Sequence, residues 1–214
     1  AEDDGMRVAV FDLDGCISCD CRRRKFLPEE GSSDSAYNMY HQGLANDEAK
    51  NVGMILGHIS RGDHLLFITA RPERYIGDTL FWLKEIIGQP DRFTLLMRPN
   101  GDSRPSAQLK VDWLRFWLRD AKASVKDVVA AYDDRRDVLE AYAAFGIPKE
   151  RLHHLTCCER EEEPREPAVS SHKPRTADEI LTAMAATYRE RNAVYGDNFR
   201  TVAPPIAAQF PTGV

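Results

Sequence analysis

Five short apolar segments of the chain have the composition of buried β-strands. They are rich in β-branched and aromatic residues, and polar or turn-forming residues bound each of them. Segments of this kind are typical of strands that are covered on both faces of a parallel sheet. The predicted strands are 7–14, 64–70, 93–98, 127–134 and, with the weakest pattern, 151–158.

Amphipathic segments with the helical spacing of apolar residues alternate with these strands. Asn46 is placed to cap the first helix, and Pro72 suits the first turn of the second. The third helix has four large apolar residues on one face: Leu109, Trp113, Phe116 and Trp117. The predicted helices are 46–61, 72–87, 106–121 and 135–146.

The alternation of strands and helices predicts an α/β fold with a doubly wound parallel sheet and right-handed crossovers. Ligands of such sheets bind at the carboxyl ends of the strands. Four predicted strands end in polar residues at this edge, which is therefore the expected functional site. These residues are Asp12 and Asp14, Thr69 and Arg71, Arg98, and Asp133 and Asp134.

The Asp-Leu-Asp-Gly segment at 12–15 favours a bound cation. Alternation along a strand points Asp12 and Asp14 to the same side, and Gly15 lets the chain turn away at once. Two carboxylates this close repel each other unless a proton or a cation lies between them. Mg²⁺ prefers such oxygen ligands, so we expect a magnesium site that Asp133 and Asp134 complete.

The cysteines offer a different metal chemistry, because thiols can hold a tetrahedral zinc ion, alone or with His153 and His154. Against this hypothesis, the pattern lacks a second Cys-x-x-Cys block, and adjacent residues of a strand point to opposite faces. We therefore expect the aspartates to hold the metal and the thiols to remain reduced. The cysteines are Cys16, Cys19, Cys21, Cys157 and Cys158.

Composition narrows the class of protein. The chain has 214 residues, a formal net charge of −5 and 43% apolar residues, so a strongly basic nucleic-acid coat protein is excluded. No apolar run reaches the roughly 18 residues of a membrane span, and the first residues do not form a signal peptide. Because five cysteines cannot all form disulfides and no export signal is seen, we expect a reducing cytoplasmic location. The lack of a long apolar run predicts no membrane partner.

The pattern changes after Cys158. Residues 159–175 are charged and contain prolines, which predicts a linker between a domain at 1–158 and a helical tail at 176–214. Thr176 and Glu179 form a capping-box pattern at the start of the tail helix. The tail is expected to dock on the core, to belong to a truncated domain, or to form a homo-oligomer.

Four motifs in this order resemble the haloacid dehalogenase superfamily of phosphohydrolases: Asp-Leu-Asp-Gly at 12–15, Ile-Thr-Ala-Arg at 68–71, Lys110, and the acidic segment 132–137. The similarity extends over about residues 6–157. Within the superfamily, the segment 97–113 is most similar to the phosphatase domains of phage polynucleotide kinase-phosphatases. Only about thirty residues separate Gly15 from the predicted helix at Asn46, which is too few for the large cap domain of many relatives, so we expect an open site under a small flap. The resemblance implies a phage-encoded protein that acts in the host cytoplasm.

The resemblance further implies a role for each motif residue. Asp12 would be the nucleophile that forms an aspartyl-phosphate, and Asp14 the general acid and base. Thr69 would hold the phosphate, and Lys110 would neutralise its charge. The remaining roles are Mg²⁺ binding by Asp12, Asp14, Asp133 and Asp134, and substrate binding by Arg71, Arg98 and Arg104. Cys16 departs from the superfamily pattern, which usually has threonine there.

These roles together predict a Mg²⁺-dependent phosphomonoesterase that acts on nucleotides or on polynucleotide 3′ ends. A phosphotransferase with the same covalent intermediate remains an alternative, because an alcohol can replace water as the acceptor. A non-catalytic module that binds nucleic acid or a partner protein is another, although such a module would not need Asp14.

Overall fold

The computed structural model describes residues 6–28, 34–88 and 93–158. Within these residues one sheet of five parallel strands has the order β3-β2-β1-β4-β5. This arrangement confirms the predicted doubly wound α/β fold. The strands are β1 (Val8–Phe11), β2 (His64–Pro72), β3 (Phe93–Arg98), β4 (Val128–Asp133) and β5 (Leu152–His154).

Helices cover both faces of the sheet because alternate strand residues point to opposite sides. Val8 and Val10 pack with α4 and α5 on one face, whereas Ala9 and Phe11 pack with α2 and α3 on the other. Trp113 of α4 is buried and donates a hydrogen bond to the carbonyl oxygen of Met97 at 3.0 Å. The helices are α1 (Asn38–Gln42), α2 (Val52–Ser60), α3 (Ile76–Ile87), α4 (Ser106–Asp120) and α5 (Arg136–Phe145).

Strand β1 is the centre of the sheet. Phe11 pairs with Phe67 of β2 on one side and with Tyr132 of β4 on the other. The backbone N–H of Asp12 donates to the carbonyl oxygen of Tyr132 at 3.0 Å, which extends this pairing by one residue. The carboxyl ends of β1, β2 and β4 therefore lie side by side, as the sequence predicted.

Two predicted helix starts are wrong. Pro72 has an extended backbone, with φ −64° and ψ 143°, and pairs with Arg98 as the last residue of β2. A 3₁₀ turn then precedes α3. Asn46 ends a separate 3₁₀ turn, and α2 begins only after Asn51, whose φ is 58°. The ends of these two helices match the prediction, with Gly62 and Gly88 at positive φ.

The segment between Gly15 and α2 is a small flap, as expected. Besides α1, its described residues form an isolated antiparallel bridge between Ser18 and Ala49 and short 3₁₀ turns, which are Asp20–Arg22, Arg24–Phe26, Asp34–Tyr37 and Gly43–Asn46. The predicted linker and tail, 159–214, lie outside the described residues. In the part of the chain that the structure describes, no helix has the length and apolarity to cross a membrane.

His64 of β2 should make stability depend on pH. Its imidazole stacks on Trp117 and contacts the Thr94 hydroxyl at 2.9 Å. Burial lowers the pKa of this imidazole to about 4. The unfolded chain then binds more protons between pH about 4 and 6.5, so stability is full above pH 6.5 and falls as the pH falls through this window. Across this pH window, we expect the free energy of unfolding of the His64→Gln variant to change by roughly 2–3 kcal/mol less than that of the parent.

The measurement is urea denaturation at a series of pH values. His153→Gln is the matched control, because it makes the same replacement at an exposed histidine. A His64→Gln variant with the parent's pH profile would contradict the assignment.

Candidate active site

A buried lysine joins the ends of two neighbouring strands. The Nζ atom of Lys110 lies 2.7 Å from Asp12 Oδ1 and 2.6 Å from Asp133 Oδ2. Lys110 is on α4 between Leu109 and the buried Trp113, so the packing of that helix against the sheet directs the ammonium group to this edge. Two residues far apart in sequence are thus linked through one cation.

The same edge has the composition of a divalent-cation site. Carboxylate oxygens of Asp12, Asp133 and Asp134 lie within 4.8 Å of one another. Burial raises the pKa of Asp12, and Asp133 and Asp134 raise it further against the opposing effect of Lys110. One ammonium group therefore does not compensate all of the buried negative charge. Oxygen ligands with uncompensated charge fit Mg²⁺, so the observed residues agree with the predicted metal.

Asp14 has a different environment from Asp12. Its Oδ1 atom accepts hydrogen bonds from Arg71 Nη1 at 2.9 Å and from Arg23 Nη2 at 2.6 Å. Burial alone would raise the pKa of Asp14, but the two guanidinium groups lower it to about 2. The carboxylate is consequently ionised at neutral pH, and its side chain is not part of the Asp12–Asp133–Asp134 group.

Arg23 connects the flap to this carboxylate, and the sequence did not single it out from the run of arginines at 22–24. Its guanidinium binds Asp47 Oδ2 at 2.6 Å and the carbonyl oxygen of Tyr40 at 2.7 Å, and it lies over the Tyr40 ring. A buried arginine with this many partners is fixed in place. The flap therefore contacts the carboxylate of Asp14 through the Arg23 side chain.

Arg71 is likewise buried, and it contacts Asp14 and the carbonyl oxygen of His41. The Thr69 hydroxyl accepts a hydrogen bond from the Arg71 backbone N–H at 3.2 Å. The structure thus brings both residues to the end of β2, where the sequence placed them. Their contacts with a substrate stay predictions.

Two further predicted substrate ligands make internal contacts. Arg98 donates to the carbonyl oxygens of Ala70 at 3.1 Å and Arg104 at 2.7 Å. Arg104 forms ion pairs with Asp102 at 2.5 Å and Asp112 at 2.7 Å. Both arginines therefore order the loop between β3 and α4, and a role for them in substrate binding is again a prediction.

Comparison with known proteins agrees with the fold. No protein-family model matches the chain, and no curated protein matches it. Among solved structures, a chain of the "Pnkp1/Rnl/Hen1 RNA repair complex" has a TM-score of 0.50 and 19% identity over 74% of this chain and 43% of that chain. This chain therefore spans less than half the length of that relative. The likeness is one of fold alone.

Two other solved structures give lower TM-scores. A second structure of the Pnkp1/Rnl/Hen1 complex has a TM-score of 0.48 at 21% identity, over 66% of this chain and 43% of that chain. A protein assigned as a β-phosphoglucomutase from Thermotoga maritima has a TM-score of 0.45 at 15% identity, over 86% of this chain and 99% of that chain. With the sheet order described above, the repair-complex likeness agrees with the predicted doubly wound α/β fold.

Proposed function

We propose that this protein is a Mg²⁺-dependent phosphomonoesterase that acts through an aspartyl-phosphate on Asp12. One observation carries the proposal: Lys110 lies between Asp12 and Asp133 at the carboxyl edge of the sheet, and a third carboxylate, Asp134, lies within 4.8 Å. A buried charge cluster of this kind is costly for folding, and its place at the ligand-binding edge of the fold supports catalysis.

The residues of the chain supply most of the required chemistry. A carboxylate oxygen of Asp12 would attack phosphorus, and the bond from phosphorus to the leaving oxygen would break. Lys110 would neutralise charge on the transferring phosphoryl group, and the Thr69 hydroxyl would orient it. A water molecule would then attack the aspartyl-phosphate, releasing inorganic phosphate and restoring the Asp12 carboxylate.

The magnesium ion would be held by Asp12, Asp133 and Asp134, and by the backbone carbonyl oxygen of Asp14. When bound, it would stabilise negative charge on the phosphate oxygens and offset the repulsion between the buried carboxylates.

Asp14 would protonate the leaving oxygen and then accept the proton of the attacking water. In the substrate-free protein its two arginine partners keep it ionised, which suits the second step. Protonation for the first step requires that the pKa of Asp14 rise in the substrate complex. An anionic phosphate bound beside Asp14 would have that effect, because its negative charge disfavours the ionised carboxylate.

For the substrate, the proposal is a nucleotide or a polynucleotide 3′ end. The small flap between β1 and α2 supports this class, because a site without a large cap can accept a bulky substrate. Arg71, Arg98 and Arg104 near the strand ends offer planar cations that can bind a second phosphate or stack on a base. The protein with the similar fold comes from an RNA repair complex, which agrees with such a substrate.

The Asp14→Asn variant tests the general-acid step. Its turnover of nucleotides should fall by about 10²–10⁴-fold, because the leaving alkoxide is no longer protonated. Turnover of an aryl phosphate with an acidic phenol should fall much less, since that leaving group needs no proton. The measurement is steady-state phosphate release from both substrates with Mg²⁺.

Asp47→Asn is the matched control, because it also removes the charge of a buried carboxylate partner of Arg23, at 2.6 Å, but has no proposed role in proton transfer. It should affect both substrates alike. Equal losses on both substrates in the Asp14→Asn variant would show that Asp14 only positions Arg23 and Arg71.

A substrate panel tests the proposed class separately. Phosphate release should be fastest for 3′-phosphorylated oligonucleotides or nucleoside monophosphates and slower for hexose phosphates. Faster hydrolysis of hexose phosphates would contradict the nucleotide assignment and leave the phosphatase assignment intact. Transfer of phosphate to an added alcohol in preference to water would favour the phosphotransferase.

A further inference from the structure

Four of the five cysteines converge at one place outside the acidic site. The Sγ atoms of Cys19, Cys21, Cys157 and Cys158 all lie within 4.8 Å of one another. The distances from Cys157 Sγ are 3.9 Å to Cys21 Sγ and 3.5 Å to Cys158 Sγ. Four thiolates around zinc, with bonds of about 2.3 Å, have sulfur atoms about 3.8 Å apart. Two of the distances are close to this spacing, whereas Cys158 Sγ lies only 2.7 Å from Cys21 Sγ and would have to move by about 1 Å to bind the same ion.

Adjacent cysteines point to opposite faces only if Cys157 and Cys158 lie along a strand. Strand β5 ends at His154, and the two cysteines follow in a bend. The alternation of side chains along a strand therefore does not apply to them. Both thiols turn towards Cys21, with Cys158 Sγ at 2.7 Å from Cys21 Sγ.

Backbone hydrogen bonds hold the two cysteine pairs in place. The N–H of Cys157 donates to the carbonyl oxygen of Gly15 at 2.7 Å, and the N–H of Cys19 donates to that of Glu48 at 2.9 Å. Asn51 Nδ2 donates to the carbonyl oxygens of Cys16 at 3.0 Å and Thr156 at 3.5 Å. The segment after β5 is thus fixed against the loop after β1.

We propose that Cys19, Cys21, Cys157 and Cys158 bind one structural zinc ion. The site joins the beginning of the flap to the chain that follows β5. It has four protein ligands and no open position, which is the pattern of a structural site rather than a catalytic one.

Two observations favour zinc over a disulfide. A disulfide between Cys21 and Cys158 would use only two of the four converging thiols, whereas a metal uses all of them. Lys50 also lies near the cluster, because its backbone N–H donates to the carbonyl oxygen of Ile17 at 2.7 Å, next to the hydrogen bond from Cys19 to Glu48. Four thiolates around Zn²⁺ carry a net charge of −2, which a nearby ammonium group partly offsets.

The proposed ion would fix the part of the flap that reaches the active site. Asp20, between the two flap cysteines, is buried and accepts a hydrogen bond from the Tyr40 hydroxyl at 2.7 Å. Arg23, two residues after Cys21, binds Asp14 at 2.6 Å. Zinc at Cys19 and Cys21 would therefore hold the turn from which Arg23 extends.

Metal analysis of the full-length protein tests the proposal. The chain is expressed with added zinc, purified under reducing conditions without chelator, and analysed by mass spectrometry of the metal content. One zinc per chain is expected. The Cys21→Ser and Cys158→Ser variants should lose the metal, whereas Cys16→Ser should keep it, because Cys16 is the one cysteine outside the cluster.

Cobalt substitution of the parent protein provides a second measurement that does not depend on the variants folding. Tetrahedral thiolate ligands give Co²⁺ intense visible bands and a sulfur-to-metal charge-transfer band, whereas the carboxylate site would give only weak absorption. A parent protein without zinc and without these bands overturns the proposal. So does a Cys21–Cys158 disulfide in the protein purified under reducing conditions.

Discussion

The Asp12→Asn variant is expected to lose phosphatase activity by at least about 10³-fold, because an amide oxygen cannot replace the carboxylate nucleophile. The substitution keeps the shape of the side chain, and Lys110 retains its contact with Asp133 at 2.6 Å. The fold should therefore persist while the reaction stops. Steady-state phosphate release with Mg²⁺ measures the loss.

Trapping of the covalent intermediate makes the test specific to the nucleophile. Denaturant quenching during turnover of a ³²P-labelled substrate should leave label on the parent protein and none on Asp12→Asn. The exposed Asp78 of α3 provides the control: Asp78→Asn should retain both activity and label. An Asp12→Asn variant within about tenfold of the parent, a difference of only about 1.4 kcal/mol in barrier height, would exclude the covalent mechanism.

Strands β1 to β4 could be predicted from the sequence because most of their residues are buried on both faces of the sheet, whereas β5 is largely exposed and had the weakest pattern. Val8 and Val10 pack on one side of the sheet and Ala9 and Phe11 on the other, so the whole segment must be apolar. The starts of helices depend instead on the backbone conformation of single residues. The fixed φ of Pro72 suits both a first helical turn and an extended strand, and pairing with Arg98 selects the strand.

Those parts of the site that lie at strand ends could also be predicted. Asp12 follows β1 and Asp133 is the last residue of β4. Because both strands are parallel, the topology of the fold places these residues at one edge of the sheet. Lys110 came from the family resemblance and not from periodicity. The structure adds the physical reason for its position, since α4 packs on the sheet through the flanking apolar residues.

Contacts that arise from irregular segments could not be predicted. Arg23 reaches Asp14 from a 3₁₀ turn of the flap, and no periodic pattern distinguishes it from Arg22 or Arg24. The convergence of the cysteines depends on where β5 ends, and the sequence predicted a strand that continues past His154 to Cys158. In both cases a local backbone turn decides which side chains meet.

The Lys110→Met variant should be both unstable and inactive. Methionine preserves the length of the buried side chain but leaves Asp12 and Asp133 without the ammonium group that now lies 2.7 and 2.6 Å from them. Removing one partner from a buried ionic cluster costs about 3–5 kcal/mol of unfolding free energy. Urea denaturation in the presence of a chelator measures this loss. Lys84→Met on the exposed face of α3 is the control, and its change should stay within about 0.5 kcal/mol.

Magnesium separates the two roles of Lys110. A divalent cation that binds only the folded protein stabilises it. Mg²⁺ should therefore stabilise Lys110→Met more than the parent, because in the parent the ammonium group already compensates part of the charge. Activity should not recover with stability, because the lost ammonium group also neutralises the phosphoryl oxygens, and one such donor contributes about 10²–10³-fold. Full recovery of activity at saturating Mg²⁺ would make Lys110 a purely structural counter-ion. If Lys110→Met were as stable as the parent in the presence of chelator, the ammonium group would not stabilise the buried carboxylates.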